Sequence, residues 1–181
     1  MPRFYTRNEL IEARAAWRRE GRKVVFTNGC YDILHPGHIR LLEAARSLGD
    51  VLVLALNSDA SVQRIKGPLR PLLDETQRAA VALELEAVDA VTLFGEDTPR
   101  ELIAEVLPDI LVKGADWAHF VAGREEVEAA GGGGRARPLA TGLSPPATGE
   151  EIPARPRAPA AALCGRRRRR RSGRHSGAFG Q

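Results

Sequence analysis

The 181-residue chain is long enough for one α/β domain with a full hydrophobic core and too short for two. Its formal net charge of +4 is unevenly held: residues 151–181 carry nine arginines against one acid, and the remainder carries 18 basic against 22 acidic side chains. The basic excess that would suggest a nucleic-acid binder therefore belongs to a tail and not to the folded body, while two distant cysteines, Cys30 and Cys164, exclude a disulfide framework or a cysteine metal cluster.

The opening residues, through Arg18 and Arg19, contain no apolar stretch of the length a signal peptide or membrane span requires, so a cytoplasmic chain is expected. Asn8 to Glu20 reads as an amphipathic helix with Leu10, Ala13 and Trp17 at helical spacing. Lys23 to Thr27 is a short β-rich run ending in Asn28-Gly29, as expected of a buried parallel strand that enters a tight loop. His38 to Leu48 follows as a helix with Ile39, Leu42, Ala45 and Leu48 on one face and Gly49 as its terminator. Val51 to Leu56 is the second strand, and the segment after it, with Arg64 and Lys66, reads as a loop.

Asp74 with Gln77 three residues on forms a capping box for a further helix. Ala90 to Phe94 is a third strand, Thr98 caps a helix from Pro99 to Val106, and Ile110 to Val112 is a fourth strand. Strands alternating with helices over short loops predict an α/β fold with a doubly wound parallel sheet. A short helix from Arg124 to Ala130 and a weak strand from Arg135 to Leu139 follow, separated by four glycines. Residues 1–144 are taken as the one catalytic domain and 145–181 as a disordered Pro/Arg-rich tail, because hydrophobic periodicity stops there.

The chemistry concentrates in the turn Thr27-Asn28-Gly29-Cys30-Tyr31-Asp32-Ile33-Leu34-His35-Pro36-Gly37-His38, between the first strand and the next helix. With His38 in the first helical turn, both imidazoles face one anion about 5 Å apart and lend it positive character. Gly29 and Gly37 allow close backbone approach, and the helix start adds free N–H groups. Ligands of such sheets bind at the carboxyl ends of the strands, where Lys113 also ends the fourth strand. A cradle for nucleotide phosphates results. Transfer of a nucleotidyl group to a phosphorylated acceptor needs no protein nucleophile, only positioning and charge neutralisation, for which Arg64, Lys66 and Lys113 are the cationic candidates. Asp32 either meets the substrate or holds the loop, and Asp116 either binds metal or ribose or caps its loop. Cys30 is a small loop residue and not a nucleophile. Trp117 is read as packing; His119 and His175 are uninformative.

Phe26 to His38 resembles the signature of the cytidylyltransferase-like superfamily, with its Rossmann-like nucleotidyltransferase fold. Asn57-Ser58-Asp59-Ala60-Ser61-Val62, Lys66-Gly67-Pro68-Leu69-Arg70-Pro71, Glu86-Ala87-Val88-Asp89, Glu96-Asp97-Thr98-Pro99 and Leu111-Val112-Lys113-Gly114-Ala115-Asp116 are similar, more narrowly, to D-glycero-β-D-manno-heptose 1-phosphate adenylyltransferases. That family is often fused behind a sugar kinase, and the resemblance leads to the expectation of a stand-alone form. The resemblance implies ATP and heptose 1-phosphate giving ADP-heptose and pyrophosphate with Mg²⁺, in lipopolysaccharide core assembly. It implies catalytic roles for His35, His38 and Lys66. Nucleotide contacts are implied at Asn28, Gly29, Cys30, Tyr31, Gly37, Lys113, Asp116, Gly142 and Ser144, and substrate contacts at Asp32, Arg64 and Lys66. The sequence assigns no metal ligands, and a homodimer is the family expectation. Where relatives carry Gly-x-Ser-Thr-Thr, this chain has Gly142-Leu143-Ser144-Pro145-Pro146, which removes two hydroxyls and backbone donors. A glycerol 3-phosphate cytidylyltransferase is the alternative within the superfamily. From a different class, the alternative is a protein whose Arg166 to Arg171 run binds nucleic acid or anionic membrane.

Overall fold

The computed structural model describes residues 1–114, 123–129 and 138–139. In chain order the elements are β1 (Arg3–Phe4), α1 (Arg7–Arg19), β2 (Val24–Gly29), α2 (Pro36–Arg46), β3 (Val51–Asn57) and α3 (Asp59–Lys66). They continue as α4 (Glu75–Leu83), β4 (Ala90–Phe94), α5 (Arg100–Val106), β5 (Ile110–Gly114), α6 (Arg124–Ala129) and β6 (Pro138–Leu139). All strand pairs are parallel, in the order β1-β4-β3-β2-β5-β6.

Both faces of the sheet are apolar, which is why β3 reads as an unbroken hydrophobic run. The period of two sorts its residues cleanly. Val24, Phe26, Val51, Val53, Ala55 and Ala90 face α1, α5 and α6 through Leu10, Leu102, Ile103 and Val127. Val25, Leu52, Leu54, Leu56, Val91 and Val112 face α2 and α4 through Leu41, Leu42, Ala45, Ala79 and Ala82. Phe26 and the central leucines are fully buried, each contributing about 1.5–3 kcal/mol relative to an exposed side chain.

The sheet's two edges differ chemically. At the amino edge, aspartates accept from strand-entry amides: Asp50 from Lys23 N at 2.8 Å, Asp109 from Val24 N at 2.7 Å and Asp89 from Leu52 N at 2.8 Å. Arg14 and Arg46 pair with Asp109 and Asp89, so these acids are structural. Cations gather at the carboxyl edge instead. From β2 the chain turns to β3 on one side, whereas β5 is β2's neighbour on the other. The switch point of the topology, where such sheets bind ligands, therefore lies beyond the ends of β2 and β5.

Several element boundaries differ from the sequence reading. Helix α1 begins earlier because Thr6 and Glu9 form a capping box. Helix α2 ends at Arg46. Gly49 is needed for another reason, since a Cβ there would lie 2.7 Å from the Lys23 carbonyl oxygen. Helix α5 starts at Arg100 after Pro99, with no side-chain cap from Thr98. The expected loop after the second strand is helix α3, capped by the Ser58 side chain, so Lys66 closes a helix. The two-residue strand β1 was not anticipated, and only Pro138–Leu139 of the weak terminal strand is described. The boundary expected at Ser144 lies outside the described residues, all of which fall within the unit Met1–Pro145.

Candidate active site

His35 is the N-cap of α2, with extended backbone, and its Nδ1 accepts from Gly37 N at 3.1 Å. In the neutral ring that bond places the proton on Nε2, which is left to donate. His38, in the first helical turn, stacks its ring on that of His35 with centroids 3.8 Å apart and an interplanar angle of 30°. The pair is thus closer than the expected spacing of about 5 Å. Tyr31 packs against His38 in a tilted arrangement, with ring centroids 4.7 Å apart and an interplanar angle of 45°.

Tyr31 holds φ of 46°, a left-handed conformation uncommon outside glycine and asparagine. It folds the ring back over Gly29, where a Cβ would lie 2.9 Å from a ring carbon. Gly29 is therefore required by the tyrosine ring itself.

Burial lowers the His38 pKa from 6.5 to about 4; the electrostatic influence of His35 and Lys66 adds to the lowering, and a backbone hydrogen bond at Ile33 opposes it. At neutral pH His38 is an uncharged imidazole with its Nδ1 buried and unpartnered. His38 therefore offers a hydrogen bond rather than a full charge to the positive character expected of the two imidazoles and the helix amides. Stacked rings at this distance would repel if both were protonated.

The positive character comes from lysines. Lys113, next to last in β5, is largely desolvated; burial lowers its pKa to about 8, and its Nζ donates to Asn28 Oδ1 on the adjoining end of β2. Lys66 is exposed and has no hydrogen bond or ion pair among the described residues, yet its charge reaches both His38 and Cys30. The Cys30 thiol is pushed up by burial, which outweighs the pull of Lys66, Arg78 and Lys113, so it is a poor nucleophile. Its Sγ lies 3.8 Å from Asn57 Oδ1.

Asp32 and Arg64 are committed to protein partners. Asp32 is buried and accepts from Arg70 Nη1 at 2.7 Å, Leu72 N at 2.6 Å and Leu73 N at 3.3 Å. Burial alone would raise its pKa, but these donors hold it below the usual carboxylate range. Arg64 pairs with Asp97 at 2.7 Å and also donates to the Gly95 carbonyl. Gly37 is buried at the start of α2. Asp116, Gly142 and Ser144, with Trp117, His119, Cys164 and His175, lie outside the described residues.

Sequence reading passed over Arg78. Its side chain is fully buried and donates to Cys30 O at 2.7 Å, Leu73 O at 3.1 Å and Asp59 Oδ1 at 2.7 Å. A signal existed: Arg78 sits on the face of α4 that buries Ala79 and Ala82, where an unpaired arginine would be costly.

Residues 26–148 match the cytidylyltransferase-like family. Among curated relatives, the bifunctional protein HldE of Trichlorobacter lovleyi is 53% identical over 139 residues, 76% of this chain and 28% of that protein. The HldE of Mesorhizobium japonicum is 60% identical over 119 residues, 65% of this chain and 24% of that protein. The chain spans less than a third of the length of these relatives. The lipopolysaccharide core biosynthesis protein of Thermoplasma volcanium, known from a crystal structure, is 35% identical, with a TM-score of 0.53, covering 61% of this chain and 90% of that one. The pantoate-beta-alanine ligase of Francisella tularensis, 13% identical with a TM-score of 0.54 over 76% of this chain and 66% of that one, shares the fold alone.

Proposed function

Because the chain belongs to the cytidylyltransferase-like family, we propose that it is an adenylyltransferase that moves AMP from ATP onto D-glycero-β-D-manno-heptose 1-phosphate. The products are ADP-heptose and pyrophosphate. The observation that carries this reading is the stacked His35–His38 pair at the start of α2, at the switch point and within the field of Lys66.

In this reading the acceptor's phosphate oxygen attacks the α-phosphorus in line. The bond from that phosphorus to the bridging oxygen breaks, and pyrophosphate departs with the electron pair. The attacking oxygen is already ionised, so no general base is required. His35 Nε2–H and the neutral His38 donate to phosphate oxygens, and the first amides of α2 add partial positive charge. Lys113, held by Asn28, supplies a desolvated charge, and Lys66, at the end of α3, supplies a second one to offset the charge that develops on the leaving group. Asp32 acts on the loop and not on the acceptor.

Mg²⁺ is proposed to arrive with the triphosphate, whose oxygens suit it. No group of three His, Cys, Asp or Glu among the described residues could hold a metal, and Asp32 is already occupied. The described side chains do not fit a protein-held ion. The acceptor assignment rests on the motif resemblance, on the HldE relatives and on the likeness to the lipopolysaccharide core biosynthesis protein of Thermoplasma volcanium. No helix among the described residues is long and apolar enough to cross a membrane; a cytoplasmic homodimer belongs to the same proposal.

The test is pyrophosphate release from ATP or CTP combined with heptose 1-phosphate or glycerol 3-phosphate. Turnover with ATP and heptose 1-phosphate alone is expected. Turnover confined to CTP would refute the assignment.

A further inference from the structure

The phosphate-binding turn and the cation that serves it sit on different segments, and two buried charged side chains cross-link them. Arg78 reaches from α4 to the Cys30 carbonyl in the turn, to the Leu73 carbonyl and to Asp59, the first residue of α3. Glu75 adds a second hold on that residue, accepting from Asp59 N at 2.8 Å. Asp32 reaches from the turn the other way and takes Arg70 and the amides of Leu72 and Leu73. Helix α3, whose last residue is Lys66, is therefore fixed to the turn at its start and again just beyond its end.

We propose that Arg78 and Asp32 are positioning residues that set the register of Lys66 against His35 and His38. This rests on the adenylyltransferase reading. Neither side chain needs to touch substrate. Arg78 is fully buried with its donors engaged on three acceptors, and Asp32 accepts three bonds. Lys66 has no bond of its own to hold it, so its place is set by the backbone of α3. An arginine is required because its planar fork reaches three separated acceptors at once, which a lysine ammonium on its single stem does not.

The test is a double-mutant cycle on the full-length chain with Arg78→Lys, Lys66→Ala and the pair, following pyrophosphate release, nucleotide binding and the urea midpoint. Arg78→Lys is expected to lower kcat about 100-fold, the order produced by a misplacement near 1 Å, while KM for ATP changes much less. In the Lys66→Ala background, the same substitution is expected to cost no more than about threefold, because residues acting through one another are non-additive. Additive losses, or a loss of ATP affinity matching the loss of kcat, would overturn the proposal. Should Arg78→Lys fail to fold, Asp32→Asn replaces it in the same cycle with the same expectations. A wild type that turns over but gives an additive cycle fails this inference alone; a wild type inert with every nucleotide and acceptor fails the parent reading and the inference with it.

Discussion

His38 makes the stability of this protein dependent on pH in a window where most carboxylates do not titrate. Its pKa is about 4 in the folded chain against 6.5 for an unperturbed histidine, chiefly through burial. Above pH 6.5 the ring is neutral in both states and contributes no pH dependence. As pH falls from 6.5 towards 4, the unfolded chain takes up a proton that the folded chain refuses, so stability is lost across that interval. Between pH 7 and pH 5 the full shift corresponds to about 2 kcal/mol. The ring keeps partial contact with solvent, which reduces the expected loss to about 1 kcal/mol. Urea denaturation at both pH values should show the midpoint of the wild type falling by roughly 0.5–1 M more than that of His38→Gln, at the slopes usual for a small domain. Parallel losses in the two proteins would refute the placement of His38 in a desolvated stack.

The desolvated Lys113 predicts an alkaline limb near pH 8 in kcat/KM for ATP, since its charge is lost as pH rises through its folded pKa of about 8; Lys113→Gln should be slower and lack that limb. An unchanged limb in the variant would assign it elsewhere. Gly29→Ala should push the Tyr31 ring off its place, because the added methyl would sit 2.9 Å from it. Overpacking of this kind costs about 1–3 kcal/mol, read as a lowered urea midpoint together with reduced pyrophosphate release; a variant equal to wild type in both would remove the tyrosine from the account.

How much was legible in the sequence depended on how locally each feature is determined. Strand β4 was read with its observed limits because a β-branched apolar run flanked by polar residues leaves little choice. The capping box of α4 at Asp74 and Gln77 was equally local. The same Thr-x-x-Glu signal at Thr6 and Glu9 was present and overlooked, which displaced α1 by one residue. Helix α3 was hidden because its eight residues bury little beyond Ser61 and Val62, too few for a clear period. The turn from Asn28 to His38 was legible as a strand-to-helix connection because a β-rich run ends there in Asn28-Gly29 and a helical pattern follows. The charge state of His38 was not, since it depends on the ring stack and on Lys66, 28 positions away. Nor were the partners of Asp32, Arg64 and Arg78, each set by contacts between segments distant in the chain.

We propose that the turn between β2 and α2 holds the nucleotide's phosphates through His35 and His38. Imidazole NMR resonances followed during titration with ATP, and separately with adenosine, test it most directly. Both rings should shift with ATP and not with adenosine, and the His38 pKa should rise from about 4 as an anion settles beside it. Saturating ATP binding that leaves both imidazoles and the His38 pKa unmoved would contradict the account.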